Sequence, residues 1–268
     1  MRKRFGQTLR IGVAADALAL AVTRRWGGKG AEIVAELPLA TGSADAIGAG
    51  LHQLLADAGC AHWPASVVLA DDLTRLWQVV PPQGAARLAD LEGAAALRFQ
   101  ALYGEAPQGW RIEAGWDAAR PFLAGAMPRA LLAAIAKAAD QHHLTVVGIA
   151  PQFVAGFNRW QGALKAGAWY GQVHAGVLTL GAIEGGALQA VRAAALPDGA
   201  SLDWLATHVA REALRLNLAV PARLQVAGTA PPAWQHGGAG ALACTVFEAG
   251  QGAPWSPAAR LALTGTAV

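Results

Sequence analysis

The sequence predicts an α/β protein of two lobes, on three observations. Two segments, Leu9 to Leu39 and Ala168 to Ala195, each read as a β-hairpin of apolar strands around a glycine-bearing turn, so both halves of the chain open in the same way. Between and after them, strand-like runs alternate with stretches whose apolar residues recur at helical spacing. The length of 268 residues, with 54% hydrophobic, 15% charged and ten Trp residues, suits one body with a large core and excludes a disordered chain. Lobe I is expected over residues 1–160, with an inserted α+β unit at about 71–150, and a reduced lobe II over 161–268.

Taken in order, Leu9 to Thr23 is the first strand, Trp26-Gly27-Gly28-Lys29-Gly30 the turn, and the return strand runs to Leu39. Ser43 caps a helix carrying Ile47, Leu51, Leu54 and Leu55, which Gly59 ends, and Ser66 to Ala70 is a buried strand. Arg75 to Val80 is a strand stopped by Pro81-Pro82, and Asp90 caps a helix to Tyr103 whose inward face is Leu91, Ala95, Phe99 and Leu102. Trp110 to Ala114 and Phe122 to Ala126 follow as strands, then a helix from Pro128 to His142 and a strand from Leu144 to Ile149. Strand, helix, strand, strand, helix, strand is the order of a ferredoxin-like unit. After a helix from Pro151 to Trp160 comes the second hairpin, turning at Glu184-Gly185-Gly186. Ser201 then caps a helix with Leu205, Val209, Ala213 and Leu216 on one face. Leu224 to Ala227 is a strand, and the Gly-, Ala- and Pro-rich tail suggests further strands near Ala241 to Glu248 and Arg260 to Leu263.

Cys60 and Cys244 stand far apart, without a His or Cys at metal spacing, so neither zinc nor a disulfide framework is expected and a reducing compartment is the simpler setting. Arg10, Asp16 and Arg24 interrupt the apolar stretch after the basic Met1 to Arg4, so no secretory signal is expected. The charge-free run Ala166 to Ile183 has nearly the length of a membrane span, but its glycines, Gln172 and His174 fit two short buried strands better. Within the first thirty residues seven Lys and Arg stand against Asp16, a net +6, and the remainder carries −3. A basic edge of this kind suits an anionic membrane surface or an acidic partner. Nucleic acid is not expected, because no binding motif and no interleaving of aromatic with basic residues is present.

The element order, together with Asp71 to Leu76, Asp90-Leu91-Glu92, Arg98-Phe99, Leu102-Tyr103-Gly104-Glu105 and Pro151-Gln152-Phe153, resembles the actin-like cytoplasmic proteins of type IV pilus and type II secretion machines, the PilM-like and GspL-like proteins. The resemblance covers most of residues 9 to 230. It implies a two-lobed actin-like (RNase H-like) fold with a ferredoxin-like α+β subdomain inserted in the first lobe. It further implies an assembly platform: a cytoplasmic adaptor, peripheral to the inner membrane, that holds the short cytoplasmic tail of an inner-membrane protein in a groove beside the inserted unit, with the assembly ATPase as a further partner. GspL-like proteins continue into a membrane helix and no such stretch follows Arg223, so a separate PilM-like subunit is the expected match.

In nucleotide-binding actin-like proteins, acidic and hydroxyl-rich turns at the two hairpins hold Mg-nucleotide between the lobes. Here the turns read Ile11-Gly12-Val13-Ala14-Ala15-Asp16 and Gln172-Val173-His174-Ala175-Gly176, with Ala14 in the place of the first carboxylate. Asp16 lies two residues later, on the same face of an extended strand, and is the one candidate for a cofactor-facing carboxylate. Ala17-Leu18-Ala19-Leu20 replaces the small and hydroxylated residues expected after it. ATP and Mg are therefore not favoured, and an ATP-binding or ATP-hydrolysing actin-like protein is the alternative reading.

Other motifs carry less. Gly27-Gly28-Lys29-Gly30 lacks the spacing and the hydroxyl of a phosphate loop, and His236-Gly237-Gly238 lacks a nucleophile elbow elsewhere in the chain. His142-His143 sits at a helix end without a third ligand nearby in sequence. Asp71-Asp72 reads as a domain-crossing loop and His174 as a packed histidine. No catalytic or metal-binding set results. Among the insert's aromatics Trp77, Phe99, Tyr103, Trp110 and Trp116, the first four are the candidate anchors for a partner peptide.

Overall fold

The computed structural model describes residues 6–24, 31–235, 237–240, 242–247 and 255–266. Its first hairpin, β1 (Gln7–Val13) and β2 (Ala17–Arg24), is buried on both faces, and the residue sizes say what covers each. Leu9, Ile11, Val13, Leu18, Leu20 and Val22 enter one cluster with the helices of lobe I, while Ala19 and Ala21 on the opposite face leave room for a helix from the far end of the chain. The sheet grows outward through β3 (Glu32–Pro38) and, on the other side, through the parallel β4 (Pro64–Leu69). Between these two strands runs α1 (Ala44–Asp57), started by Ser43, whose hydroxyl accepts the Ala46 N–H at 3.2 Å.

The inserted unit follows β4. It contains β5 (Arg75–Val79), α2 (Leu88–Tyr103), β6 (Trp110–Ala114) and β7 (Phe122–Pro128), with the strands antiparallel in the order β5-β7-β6. Asp90 opens α2 by accepting the Arg87 N–H at 3.0 Å, and Gly104 closes it at φ 67°. Leu91, Ala95 and Phe99 pack on Trp77, Val79 and Phe122, whereas Leu102, expected on the inward face, is exposed.

The insert is not the six-element ferredoxin-like unit, because α3 (Arg129–Gln141) and β8 (Thr145–Pro151) return to lobe I. Leu131, Ile135, Ala138 and Ala139 of α3 fill the same cluster as Ile47 and Leu51 of α1, and β8 pairs in parallel with β4, giving the order β3-β2-β1-β4-β8. The insert is thus a three-stranded sheet under one helix.

A connecting helix, α4 (Gln152–Trp160), leads into lobe II, where β9 (Ala168–His174), β10 (Val177–Glu184) and β11 (Ala187–Ala195) precede α5 (Leu202–Leu216) and β12 (Arg223–Gly228). The short β13 (Gly238–Ala239) and β14 (Leu242–Val246) complete the order β11-β10-β9-β12-β14-β13. In both lobes a hairpin and a third antiparallel strand are followed by a helix and a strand parallel to the first, which is the duplication the sequence announced. The charge-free run from Ala166 is β9 and β10, and among the described residues no helix is long and apolar enough to cross a membrane.

The tail departs from expectation. Residues 257–263 form a helix, α6 (Pro257–Leu263), in place of the expected strand, and α6 packs on β1 and β2 of lobe I although lobe II was expected to run to the C-terminus. Ser256 caps it by accepting the Ala259 N–H at 3.0 Å, and Pro257 supplies a first helical residue with no N–H to satisfy. A Cβ at Gly12 would lie 2.6 Å from the Ala262 nitrogen, so glycine is what lets α6 approach β1. Arg10, one strand face with Gly12, donates to the Ala262 and Thr264 carbonyls at the C-terminal end of α6. Gly12→Ala should therefore cost about 1–3 kcal/mol by overpacking. Urea denaturation is expected to show this loss, and limited proteolysis earlier cleavage beyond residue 247.

Candidate functional site

The two hairpin turns and the end of β4 meet at the seam between the lobes. In the first turn the Ala14 N–H donates to the Ala17 carbonyl at 3.0 Å, and the Asp16 carbonyl accepts the Leu39 N–H at 2.7 Å. Asp16 is exposed there, close enough to act electrostatically on His174 across the seam. The second turn consists of Ala175 and Gly176, at φ 44° and 74°, between the paired His174 and Val177. Two left-handed residues make this a primed hairpin turn, matched to the twist of its strands. A phosphate-cradling loop supplies a longer run of converging amides.

Asp71, expected in a domain-crossing loop, lies at the seam itself. A short helical turn at Asp71–Leu73 follows Ala70. The Asp71 carboxylate accepts the Phe153 N–H, at the start of α4, and the Thr179 hydroxyl, on β10, both at 2.9 Å. One side chain of lobe I therefore holds the connecting helix and lobe II together. Removal from water pushes the Asp71 carboxyl up to about 6, against the opposing pull of the hydrogen bonds from Phe153 and Thr179. The signal available in the sequence was an acidic residue at a strand end; that its partners lie on Phe153 and Thr179 is long-range information.

His174 is 7% exposed, and both its ring nitrogens lack a partner among the described residues. Burial pulls its pKa down, while Asp72 and Asp16 oppose that shift. Beside it, Gln152 donates to the Thr264 hydroxyl at 3.3 Å and Gln172 accepts the Tyr170 hydroxyl at 2.7 Å. The open space is small. One cavity of about 50 Å³ lies among Gln152, Gln172, His174, Thr229 and Arg260, and another of about 20 Å³ lies under Asp71, Asp72 and Thr179. Such volumes admit ordered water, about one molecule in the smaller, whereas small-molecule sites span roughly 300–1,000 Å³.

A larger groove of about 450 Å³ runs between the insert and lobe II, lined by Asp72, Thr74, Arg75, Tyr103, Thr179 and Arg192 among others. Its walls are β5 and β11, each the edge strand of its own sheet. At one end the Gln78 amide donates to the Leu188 carbonyl at 3.0 Å, which fixes the insert against lobe II. At the other, the Arg75 guanidinium pairs with Glu105 at 3.3 Å and lies 5.6 Å from the Tyr103 ring centroid and 5.2 Å from that of Trp110.

The candidate peptide anchors separate on burial. Trp77 and Phe99, 2% and 0% exposed, form the core of the insert with their rings 5.3 Å apart, so neither presents a surface to a partner. They are the large side chains that a sheet under a single helix needs inside. Tyr103 and Trp110 are half-buried, and Tyr103 lines the groove with its hydroxyl donated to the Leu76 carbonyl at 3.0 Å. The expected basic edge loses Arg10 to the α6 contact, while Arg2, Lys3, Arg4, the turn Trp26 to Gly30 and His236 lie outside the described residues.

The sign of the Asp71 effect is testable. Its folded value of about 6 exceeds the ordinary 3.8, so its contribution to stability is complete below the lower value and is lost as pH rises through the higher. Asp71→Asn keeps an acceptor for Phe153 and an amide donor for Thr179 without the charge. The variant should gain on wild type between pH ~4 and ~7, by on the order of 2 kcal/mol at the upper end. Denaturant midpoints across that range measure it; a variant weaker at neutral pH than at pH ~4.5, relative to wild type, would contradict the assignment.

No family model matches the chain, and no curated protein matches it by sequence. Its fold, however, has solved counterparts. A Bacteroides thetaiotaomicron protein with actin-like ATPase fold and unknown function is 11% identical and superimposes with a TM-score of 0.59, over 85% of this chain and 84% of that one. The cytoplasmic domain of EpsL, an inner-membrane component of the type II secretion system of Vibrio cholerae, is 13% identical with a TM-score of 0.59, over 97% and 94%. A chain of the PilM–PilN type IV pilus biogenesis complex is 17% identical with a TM-score of 0.51, over 80% and 66%. At these identities the likeness is one of fold, and it agrees with the duplicated sheets and the inserted unit. The chain has the actin-like ATPase fold, in a form similar to that of the EpsL cytoplasmic domain and of the PilM–PilN complex.

Proposed function

We propose that the chain is a non-catalytic adaptor of a type IV pilus or type II secretion-like assembly platform, binding the cytoplasmic tail of an inner-membrane protein in the groove between the insert and lobe II. The fold shared with the EpsL cytoplasmic domain and the PilM–PilN complex supports the setting. The observation that carries the adaptor reading is the contrast between two spaces. The seam where an actin-like protein would hold nucleotide has about 50 Å³ beside a two-residue turn, whereas the groove has about 450 Å³ beside the edge strands β5 and β11. An extended tail can hydrogen-bond to such an edge while its side chains reach Arg75, Tyr103 and Arg192. On this reading the protein works at the cytoplasmic face of the inner membrane, with the basic N-terminal residues as a peripheral contact and the assembly ATPase as a further partner.

The ATP-binding alternative rests on Asp16, exposed at the seam opposite His174. Isothermal titration separates the two. The adaptor reading expects no heat with Mg-ATP at millimolar concentration; micromolar binding abolished by Asp16→Ala would replace it with a nucleotide-gated protein. Synthetic tail peptides of inner-membrane proteins encoded beside this chain should bind. Tyr103→Ala and Arg192→Glu should each weaken that binding by roughly tenfold, about 1–2 kcal/mol, and binding indifferent to both would remove the groove from the proposal.

A further inference from the structure

The sequence offers His142-His143 without a third ligand, and the fold supplies neighbours. Four of the chain's seven histidines gather where α3 ends against α1 and the start of β4. His142 Nε2 lies 3.1 Å from His52 Nδ1 and 3.1 Å from the His52 carbonyl oxygen. Behind this pair the His62 N–H donates to the His142 carbonyl at 3.2 Å, and the His62 and His143 rings stack in parallel with centroids 4.9 Å apart. His62 and His143 both take left-handed backbone, at φ 62° and 52°, a conformation uncommon outside glycine.

The spacing of the first pair has a chemical meaning beyond a hydrogen bond. Two nitrogens bound to one ion at about 2.0–2.1 Å, at angles of about 90–110°, lie about 2.9–3.4 Å apart. The 3.1 Å separation of the two ring nitrogens falls inside that range. Facing the His52 carbonyl, which only accepts, His142 Nε2 carries the proton; a metal ion would take the other tautomer, with the proton on Nδ1, and a turn of the two rings that exchanges this hydrogen bond for coordination. The setting favours a cation. The pair stands at the negative end of α3, whose last turn contains Asp140 and no Lys or Arg. His52 also lines an open groove of about 460 Å³ between α1 and α3, together with Asp45 and Lys137, so solvent can reach the remaining coordination positions.

We propose that His52 and His142 form a two-imidazole site for a divalent first-row transition-metal ion, separate from the seam and from the tail groove. Among the described residues no three His, Cys, Asp or Glu side chains converge on one point, so the protein supplies two ligands and water supplies the others. Imidazole donors select Cu²⁺, Ni²⁺ and Zn²⁺ over Mg²⁺, with Cu²⁺ bound most tightly. Binding would clamp α1 to α3 on the outer face of lobe I, since one ligand comes from each.

The test uses the full chain without an affinity tag, at about pH 8, where imidazole is neutral. Calorimetric titration with Zn²⁺, Ni²⁺ and Mg²⁺ should show one equivalent of Zn²⁺ or Ni²⁺ bound and no Mg²⁺. Electron paramagnetic resonance of the Cu²⁺ form should report two imidazole nitrogens. His52→Ala and His142→Ala, each checked for folding by circular dichroism, should weaken binding by about tenfold or more. His143→Asn, which tolerates the left-handed backbone, should leave it unchanged. Absence of Zn²⁺ and Ni²⁺ binding, binding that survives the His52→Ala/His142→Ala double variant, or equal loss in His143→Asn would each overturn the site.

Discussion

One buried carboxylate gives the contact between the lobes its direction. Each lobe has its own core, one around Leu9, Ile47 and Ile135 and the other around Trp169, Leu205 and Leu224, and α6, from beyond lobe II, covers the Ala19 and Ala21 face of lobe I. Where the lobes meet, Phe153, Tyr170, Val191 and Ala227 form an apolar cluster with Leu76 and Leu123, and Asp71 receives the Phe153 amide from the connecting helix and the Thr179 hydroxyl from lobe II. Apolar surface adheres without direction, whereas two hydrogen bonds on one carboxylate set an angle. The cost is paid in solvation, visible as the upward shift of the Asp71 carboxyl. Close approach adds to the constraint: a Cβ at Gly156 of α4 would come within 2.3 Å of the Gln172 side-chain oxygen of lobe II.

Much of this architecture can be read locally, and the failures are instructive. The hairpins announce themselves because alternation with period two survives in Leu18-Ala19-Leu20-Ala21-Val22, and that alternation even encodes which face meets the large side chains of α1 and which meets α6. Ser43 and Ser201 mark helix starts that the structure places at those residues. By contrast, α3 and β8 read correctly as helix and strand but were assigned to the insert. Nothing in Leu131, Ile135 or Val146 tells whether the neighbouring sheet is the insert's or lobe I's, since either offers an apolar face. The tail helix was missed for a related reason. Ala258 to Leu263 is apolar almost throughout, and a short apolar run has no periodicity to separate strand from helix; the Ser256-Pro257 start was the local evidence against a strand.

The candidate site was legible in part. That Ala14 stands at the first turn could be read directly; Asp16, expected on one face of an extended strand, lies in the turn between Val13 and Ala17, where it acts electrostatically on His174. The role of Asp71 could not be read, because a pairing of Asp71 with Thr179 spans 108 residues and leaves no periodic trace. Aromatic anchors fail as a sequence signal for the opposite reason. Trp77 and Phe99 have the composition of a peptide site and the periodicity of a core, and a sheet covered by one helix has too little apolar material to leave them outside.

Seam and groove are mechanically one object. Thr179 and Asp71 line the groove as well as joining the lobes, and Gln78 latches its far end to Leu188, so the separation of β5 from β11 is set by the same contacts that set the lobe angle. In a nucleotide-driven actin-like machine that angle is the variable on which the bound ligand acts. Here the positions around it are occupied by a buried histidine, two glutamines and a two-residue turn, with cavities of about 50 and 20 Å³. A tail that binds along this groove would lose little of its binding energy to closing the lobes, which those contacts already join. On the adaptor reading, the contacts at the hairpins join the lobes at the place where a nucleotide-driven protein would hold its ligand.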